Sequence, residues 1–312
     1  MADFPHTLHA TDTNREVYAP SQTNSFTCVP MFDRRYNTVQ QAVVSEGQYG
    51  LIRLCHRRVA QPKRQHLYVA KHLSLCTTHL HSPGKRNSLV GEIAFLNQCR
   101  NQHVVELLGI IEDLYFVTLV FPHYEEGDVA QLVNRYVAEH DALMPSRTII
   151  SLSSQLLAAL KFVHKQSIVH RDVKCENIFV SGLSWARKDL KFVLGDFGSA
   201  KSILDGPLTT IIGTEAYFAP EMWMRKPYNE LVDMWSTGVT IYTASTCSLP
   251  FEQPYKEQIL CIRNTRFESD DACWAQISPN LRHLITWNIA FDAKQRPSAS
   301  AALAFLSGNL AE

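Results

Sequence analysis

The chain has 312 residues, of which 46% are hydrophobic and 19% charged, a composition typical of a globular protein with a sizeable core. Thirty basic residues balance thirty acidic ones, so the overall charge favours neither nucleic acid nor an anionic membrane as a partner. No run reaches the roughly 18 apolar residues of a membrane span, and we expect no secretory signal because the N-terminus lacks a basic start and an apolar stretch. Eight scattered cysteines without a CxxC pair are typical of a reducing compartment, which predicts a cytoplasmic or nuclear protein.

The first part of the chain is polar and the next part has strand-like patterns. Residues 1–38 contain many Thr, Asn, Ser and Pro residues, and we expect an extension that is partly disordered. From Tyr36 to Leu119, short runs predict strands, which are TVQQAVV, LIRLCHRR, HLYVAKHLS, VVELLGII and LYFVTLVF. NSLVGEIAFLNQC has helical spacing instead, with Ser88 as its predicted N-cap.

From residue 124 to 312 the pattern is mainly helical. SRTIISLSSQLLAALKFVHK carries apolar residues three or four positions apart, at Ile149, Leu152, Leu156, Leu160 and Val163. LVDMWSTGVTIYTAST and SPNLRHLITWNI are further predicted helices. Strands followed by helices indicate the α+β class, with a small sheet lobe at 39–123 and a larger helical lobe at 124–312.

Most of the unusual polar residues lie in the loop-rich stretch 168–222. VHRDVKCENIFV contains Asp172, Lys174 and Asn177, and VLGDFGSA sets Asp196 at the end of a predicted strand. Two carboxylates and an amide can hold a hard divalent cation through oxygen and leave one group free for chemistry. Taken alone, DFG is equally well explained as a turn after a strand.

Eight motifs occur in order along the chain: EGQYG, VAK, a glutamate within the predicted helix, HRDVKCEN, DFG, FAPE, DMWSTG and QRP. In this order they resemble the eukaryotic-type protein kinase family over residues 39–310. The resemblance implies a bilobal kinase fold, ATP and Mg²⁺ as cofactors, and transfer of the γ-phosphoryl group to Ser or Thr hydroxyls of protein substrates.

The resemblance also assigns roles to the polar cluster. Asp172 matches the residue that accepts or steers the proton of the substrate hydroxyl. Lys174 matches the lysine that neutralises the transferring phosphoryl group, and a lysine there is typical of serine/threonine kinases. Asn177 and Asp196 match the two Mg²⁺ ligands, and Thr214 matches the threonine that orders the substrate hydroxyl.

The resemblance places the phosphate-binding residues in the sheet lobe. Lys71 matches the lysine that grips the α- and β-phosphates, and Glu92 matches its ion-pair partner. EGQYG matches the glycine loop over the phosphates, although Ser45 stands where the first glycine is expected. A serine there costs roughly 1–2 kcal/mol if its φ is positive and almost nothing if the backbone is extended. The loop and its flanks are Val44, Ser45, Glu46, Gly47, Gln48, Tyr49, Gly50, Leu51 and Ile52.

By the same resemblance, apolar residues enclose the adenine, with Ile52 and Val69 above it and Phe179 below. In the connecting segment Pro122 has no N–H and offers only its carbonyl, so the donor to adenine would be the backbone of Tyr124. Asp128 is a candidate contact for the ATP ribose.

Substrate preference and regulation leave alternatives open. Asp128 and Glu176 lie where arginine-directed kinases place acidic residues, or they belong to a solvated acidic turn. Thr210 lies at the usual activating phosphosite, with Arg171 placed to bind the phosphate, or it is an ordinary exposed loop residue.

Three further charged residues are predicted to have structural roles. The resemblance pairs Glu221 with Arg296 as a buried ion pair of the helical lobe. It places Asp233 beneath the catalytic loop, where the carboxylate would brace the loop.

Three functions are compatible with such a fold: an active serine/threonine kinase, a pseudokinase that acts as a nucleotide-binding scaffold, and a small-molecule phosphotransferase. The complete set of catalytic residues favours the first, with protein substrates and without direct nucleic-acid or membrane partners. HRDVKCENIF and LGDFGSA are similar to kinases encoded by alphaherpesviruses, as examples of large DNA viruses, whereas GTEAYFAPE resembles cellular kinases. A viral and a cellular origin therefore both remain open, as does the oligomeric state.

Overall fold

The computed structural model describes most of the chain. The described residues are 16–17, 35–47, 50–57, 66–74, 83–112, 116–182, 190–204, 206–252, 255–261 and 272–309. They belong to two compact units, one built from residues up to Gln98 together with Val105–His123, and the other from Cys99–Val104 together with the chain from Tyr124 onwards. Cys99–Val104 therefore belongs to the second unit although it lies between two stretches of the first.

The described elements of the first unit are β1 (Glu16–Val17), β2 (Tyr36–Gly47), β3 (Gly50–Arg57), β4 (Leu67–Ser74), α1 (Pro83–Gln98), β5 (Gly109–Glu112) and β6 (Phe116–Pro122). The strands form one sheet with the order β1-β5-β6-β4-β3-β2. Five strands, β2 to β6, pair antiparallel, whereas the two residues of β1 pair parallel with β5. This confirms the predicted α+β class.

Alternation along the strands directs side chains to opposite faces of the sheet, and one face forms an apolar core. Its buried members come from four strands, and three partly buried residues pack against them. The buried members are Cys55, Ala70, Ile111 and Val120, and the partly buried ones are Tyr36, Tyr68 and Leu108.

Two sequence predictions in this unit need correction. Helix α1 begins at Pro83 rather than after Ser88, because proline fits the first helical turn, where its missing N–H has no intrahelical partner to lose. The apolar run VVELLGII predicted one strand, but only Gly109–Glu112 belongs to β5. Val104, in the same run, forms an isolated bridge with Leu194 within the second unit.

The second unit is mainly helical. Its described helices are α2 (Val129–His140), α3 (Ser146–Lys165), α4 (Pro220–Trp223), α5 (Leu231–Thr246), α6 (Tyr255–Cys261), α7 (Ala272–Ala275), α8 (Pro279–Asn288) and α9 (Ala299–Asn309). Its described strands are β7 (Ile168–Val169), β8 (Ile178–Ser181), β9 (Lys191–Leu194) and β10 (Lys201–Ser202). They form two short ladders, β7 with β10 and β8 with β9.

Helices α3 and α5 form the centre of this unit. The apolar stripe predicted on α3 is buried along its length, and the bounds predicted for both helices are confirmed. Helix α5 is buried on nearly every side, which suits a helix that supports the loops around it. Within the described part of the chain, no helix combines the length and apolar character needed to cross a membrane.

Candidate active site

Three predicted site residues form a hydrogen-bonded triangle in the second unit. The Thr214 hydroxyl donates to Asp172 Oδ1 at 2.8 Å and accepts from Lys174 Nζ at 2.7 Å. Lys174 Nζ also lies 3.3 Å from Asp172 Oδ2. The triangle holds a carboxylate, an ammonium group and a hydroxyl within reach of one another, as proton removal and charge neutralisation at one oxygen atom require.

Asn177 has an orientation that suits a metal ligand. Its Nδ2 donates to the Asp172 carbonyl at 2.8 Å and to Asp172 Oδ2 at 3.0 Å. Because both partners are oxygens, the amide must present nitrogen to them, so Oδ1 is left to act as a ligand. No group of three or more His, Cys, Asp or Glu side chains among the described residues could hold a metal ion. An amide oxygen such as Asn177 Oδ1 fits Mg²⁺, which typically uses one or two protein oxygens together with substrate phosphates.

Asp196, the second predicted Mg²⁺ ligand, follows strand β9 in a left-handed conformation with φ of 52°. Its carboxylate does not cap the short 3₁₀ turn Phe197–Ser199 that comes next. A non-glycine residue at positive φ is uncommon and costs roughly 1–2 kcal/mol. Such a conformation is often found where a side chain must be directed toward a functional site.

His170 connects the catalytic loop to the DFG segment. Its Nδ1 accepts the Asp172 N–H at 3.3 Å and its Nε2 donates to the Gly195 carbonyl at 2.9 Å, a pattern that requires the neutral Nε2–H tautomer. The ring also contacts that of Phe197 edge to face, with centroids 4.7 Å apart. Because His170 touches both segments, the positions of Asp172 and Asp196 depend on the same buried ring.

Asp233, on α5, holds the catalytic loop from below, as predicted. Its carboxylate accepts the backbone N–H groups of His170 and Arg171, each at 2.8 Å, and His164 Nε2 at 2.8 Å. Burial on its own would raise the Asp233 pKa, but the hydrogen bonds from the His164 ring and from the His170 backbone lower the pKa below its ordinary value. The carboxylate is therefore retained as an anion in a site where its solvent exposure is 0%.

Gly213 brings the segment after Thr210 against the catalytic loop. Its φ is +110°, and a Cβ there would lie 2.4 Å from the Arg171 carbonyl oxygen and 3.3 Å from Asp172 Oδ1. Only glycine adopts this positive φ without strain and also avoids the clash that a Cβ would cause. This close approach places Thr214 beside Asp172.

Phe179, the predicted floor of the adenine pocket, packs within the second unit. Its ring stacks on that of Tyr124, with centroids 5.3 Å apart and an interplanar angle of 13°. A Cβ on Gly195 would lie 2.3 Å from a ring carbon of Phe179, so glycine is needed before Asp196. Sequence reasoning missed both the stacking and the role of Gly195, although the glycine before DFG was visible.

The first unit contains the predicted phosphate-binding pair. Lys71 Nζ lies 3.3 Å from Glu92 Oε1, and the two side chains are 12% and 6% exposed. Lys71 pairs with Ile52 of β3 and with Leu119 of β6, so two ladders fix its backbone in β4. The structure thus brings together the lysine and the glutamate that the resemblance matched.

The glycine hairpin has a regular strand on each side. Ser45 pairs with Ile52 inside the β2–β3 ladder and Gly47 pairs with Gly50 at its tip, while Gln48 and Tyr49 lie outside the described residues. The ladder has a register shift at Val44, between Val43 and Ser45. Beyond it the register is regular, and Glu46 pairs with Leu51. Because Ser45 lies in a strand, the extended alternative applies and the serine costs little there.

The remaining predicted nucleotide contacts lie close to the ends of their elements. Val69 pairs with Leu54 in β3, and Pro122 ends β6 opposite Tyr68. Asp128 caps helix α2, accepting the Gln131 N–H at 2.9 Å. Its carboxylate is thus already engaged at the helix N-terminus.

Asp128 and Glu176 lie near enough to interact electrostatically. Burial first, and then the charge of Glu176, raise the pKa of Asp128 above its ordinary value. Glu176 itself is exposed. Glu126, a neighbouring acidic residue, forms an ion pair with Arg135 at 2.6 Å, so its charge is largely neutralised.

Arg171 binds Thr210 and orders the segment that carries it. Its Nη1 donates to Thr210 Oγ1 at 2.8 Å and to the Tyr228 hydroxyl at 3.3 Å. Its Nε donates to the Ser199 carbonyl at 2.6 Å, and the Tyr228 hydroxyl donates to the Thr210 carbonyl. The predicted pairing of Arg171 with position 210 is present, whereas no sequence signal indicated Ser199 or Tyr228.

The predicted ion pair between Glu221 and Arg296 is buried and bidentate. Arg296 Nη1 and Nη2 donate to the two Glu221 oxygens at 2.7 and 2.8 Å. The guanidinium also donates to the Leu231 carbonyl at 2.9 Å and lies 5.1 Å from the centre of the Trp235 ring. The pair therefore connects α4 to α5 and anchors the segment that contains Thr214.

The comparisons with known proteins agree with this geometry. The protein kinase domain family model matches residues 38–305, and the chain belongs to that family. The chain is 32% identical over 231 residues to calcium/calmodulin-dependent protein kinase type 1 of Caenorhabditis elegans, covering 73% of this chain and 64% of the relative. It is 31% identical over 231 residues to the same-named kinase of Macrobrachium nipponense, covering 73% of this chain and 65% of that one.

A human relative extends further along this chain. The chain is 28% identical over 277 residues to the serine/threonine-protein kinase DCLK3 of Homo sapiens, covering 87% of this chain and 40% of that protein. The chain thus spans less than two thirds of the length of each of these relatives.

Proposed function

We propose that the chain is an active protein serine/threonine kinase that transfers the γ-phosphoryl group of Mg-ATP to Ser or Thr hydroxyls of proteins. The observation that carries the proposal is the hydrogen-bonded triangle of Asp172, Lys174 and Thr214. The names of the relatives, which are serine/threonine or calmodulin-dependent protein kinases, agree with it.

In the proposed reaction the substrate hydroxyl oxygen forms a bond to the γ-phosphorus while the bond from that phosphorus to the leaving diphosphate oxygen breaks. Asp172 orients the hydroxyl and takes its proton as the new bond forms. Lys174 neutralises negative charge that develops on the transferring group, and the Thr214 hydroxyl holds both side chains in place. The protein contributes mainly position and charge.

Each unit, taken by itself, contains residues with a proposed role toward the nucleotide. Mg²⁺ would supply neutralisation of the phosphate charge, with Asn177 Oδ1 and Asp196 as its protein ligands. Lys71, held by Glu92, provides a cation for the α- and β-phosphates. The backbone of the glycine hairpin provides N–H groups without interfering side chains at Gly47 and Gly50.

The described residues include a cation and an aromatic ring that suit the phosphates and the base of ATP. Lys71 has an acidic partner 3.3 Å away that orients its ammonium group rather than removing it from reach. Phe179 offers a flat apolar ring in a fixed orientation, since Tyr124 stacks against it. Gly195 has no side chain and so leaves space for this ring. A flat ring of this kind suits an adenine base.

Two finer properties are part of the proposal. Glu176 and Asp128 favour substrates with a basic residue before the acceptor, since two neighbouring carboxylates are stabilised by a bound cation. Phosphorylation of Thr210 increases activity, because Arg171 already contacts this hydroxyl and would pair with a phosphate there.

The test is incubation of the purified chain with labelled Mg-ATP and an arranged library of Ser, Thr and Tyr peptides. We expect label on Ser and Thr peptides, with preference for those that carry basic residues. Absence of label on every peptide, together with nucleotide binding measured by calorimetry, would support the scaffold alternative instead. Preference for acidic flanks would exclude the roles proposed for Glu176 and Asp128.

A cytoplasmic or nuclear location and the likeness to alphaherpesvirus kinases stay predictions. The relatives named above are animal kinases. Fractionation of cells that express the chain natively addresses the location.

A further inference from the structure

An exposed carboxylate lies one residue beyond the threonine of the catalytic triangle. Gly213 holds the segment against the catalytic loop, where a Cβ would come within 3.3 Å of Asp172 Oδ1. Thr214 follows and donates its hydroxyl to Asp172. Glu215 is the next residue, and its side chain is exposed. Glu215 is therefore one residue away from the hydroxyl that contacts the proposed base.

The backbone around Glu215 is fixed on the side that faces the protein. It begins the 3₁₀ turn Glu215–Tyr217, in which Tyr217 N–H donates to the Thr214 carbonyl at 2.9 Å. Tyr217 is buried, and Ser236 Oγ on α5 donates to its carbonyl at 3.0 Å. A rigid backbone limits where the Glu215 carboxylate can lie, so it can discriminate between substrates.

The charge of Glu215 is available to a ligand. Across the described parts of the chain, no hydrogen bond or ion pair engages its carboxylate. Two other glutamates discussed above are engaged, since Glu126 pairs with Arg135 and Glu221 with Arg296. Glu215 is not engaged in this way, and it directly follows the threonine of the catalytic triangle.

An exposed apolar residue occurs in the same short segment. Ile211 is 42% exposed and lies four positions before Glu215, on the other side of Gly213 and Thr214. Lysine and arginine side chains cover apolar surface with their methylene groups and reach a carboxylate with their charged ends. An exposed carboxylate with an exposed apolar residue four positions away in the chain is compatible with a long cationic side chain as ligand.

We propose that Glu215 is a specificity-determining residue that selects substrates with Arg or Lys directly beside the acceptor Ser or Thr. The inference rests on the proposed kinase function and adds to it a second basic position. Glu176 and Asp128 lie on the catalytic loop and at the start of α2, whereas Glu215 lies on the segment after Gly213. We therefore expect the Glu176–Asp128 pair and Glu215 to bind side chains at different positions of the substrate.

The test uses peptides with one serine acceptor and a single Arg, Ala or Glu at each flanking position in turn. For each peptide, kcat/KM is measured with wild type, Glu215→Ala and Glu215→Lys, and equilibrium binding is measured in parallel by fluorescence anisotropy. We expect wild type to favour Arg over Ala about fivefold at one adjacent position, the size of a single exposed charge pair. Glu215→Ala should remove this preference, and Glu215→Lys should reverse it in favour of Glu.

Glu176→Ala and Glu139→Lys are the matched controls. Glu176→Ala should change the preference for Arg at a different flanking position of the peptide. It should leave unchanged the preference at the position that Glu215 selects. Glu139 is an exposed residue near the end of α2, and its replacement should leave the whole profile unchanged.

The outcomes separate this inference from the proposed function. If wild type transfers phosphate but neither kcat/KM nor binding responds to Glu215→Lys at any position, the inference is wrong and the kinase function stands. If no peptide is phosphorylated, yet peptide binding still prefers Arg through Glu215, the kinase function is wrong and Glu215 keeps its role in binding. Loss of preference at the position that Glu176 reads would also contradict the inference.

Discussion

The Thr214 hydroxyl donates to Asp172 Oδ1 across 2.8 Å, and Lys174 Nζ donates to the same hydroxyl across 2.7 Å. A single threonine thus fixes the distance between the base and the cation of the candidate active site. Gly213, at φ of +110°, makes this approach possible. Hydrogen bonds therefore join the segment that contains Thr214 to the catalytic loop that contains Asp172 and Lys174.

Removal of the Thr214 hydroxyl should slow phosphoryl transfer without unfolding the protein. We expect Thr214→Ala to lower kcat by roughly 10- to 100-fold, since Asp172 and Lys174 lose the group that positions both. Thr214→Ser should recover most of the rate because it restores the hydroxyl. Steady-state kinetics with a saturating peptide measure the effect, and equal rates for Ala and Ser would contradict it.

The Lys71–Glu92 pair should matter for nucleotide binding in a graded way. We expect Lys71→Met to reduce kcat/KM for ATP about 100-fold or more, and Glu92→Gln about tenfold, because glutamine keeps a hydrogen bond but loses the charge. Lys161→Met, on the exposed side of α3, is the control for removal of a lysine. If Glu92→Gln were more damaging than Lys71→Met, the glutamate would not act through the lysine.

Ser45 should have little influence on nucleotide affinity. Ser45 lies in strand β2 opposite Ile52, where the backbone does not need the positive φ angles that glycine allows. Glycine at this position would weaken the strand by about 0.5–1 kcal/mol. We expect Ser45→Gly to change KM for ATP by no more than about threefold. Gly47→Val, at the tip of the ladder, should raise KM by about tenfold or more because a side chain there blocks close approach of backbone to phosphate. A large improvement with Ser45→Gly would show that the loop is impaired.

Asp233 should dominate the acid sensitivity of the second unit. Its pKa is lowered in the folded state, so its stabilising contribution is complete above the ordinary pKa of about 4 and is lost as the pH falls through the lower folded value. Asp233→Asn leaves a buried donor facing an N–H group, and we expect about 3 kcal/mol less free energy of unfolding at neutral pH.

Urea denaturation between neutral and acidic pH measures this effect. The free energy of unfolding of wild type should decline below about pH 4, and the decline should be shallower in Asp233→Asn. Asp141→Asn replaces an exposed aspartate and should behave like wild type. Parallel pH curves for wild type and Asp233→Asn would contradict the role of the buried carboxylate.

The sequence predicted the elements whose signals are local. The apolar stripe on α3 and the motifs around Asp172 depend on short-range spacing, and both match the structure. The start of α1 was wrong because Ser88 looks like a cap, whereas the proline five positions earlier also suits a first helical turn. Where two local signals compete, tertiary packing decides between them.

Contacts between distant segments could not be predicted in the same way. Tyr228, which follows α4 in the chain, contacts Arg171 and Thr210, and Tyr124, which precedes α2, stacks on Phe179. No local sequence signal indicates which residues the side chains of Tyr228 and Tyr124 contact. They become visible only once the chain has folded, because their partners are more than 15 positions away.

Phosphoryl transfer by purified Asp172→Asn tests the central claim most directly. Wild type and Asp141→Asn are the references, with a serine peptide, saturating Mg-ATP and circular dichroism as a check on folding. We predict that Asp172→Asn remains folded and binds Mg-ATP, with kcat reduced about 10²- to 10⁴-fold, since the group that accepts the hydroxyl proton is lost. A folded Asp172→Asn variant that transfers phosphate at the wild-type rate would contradict the account.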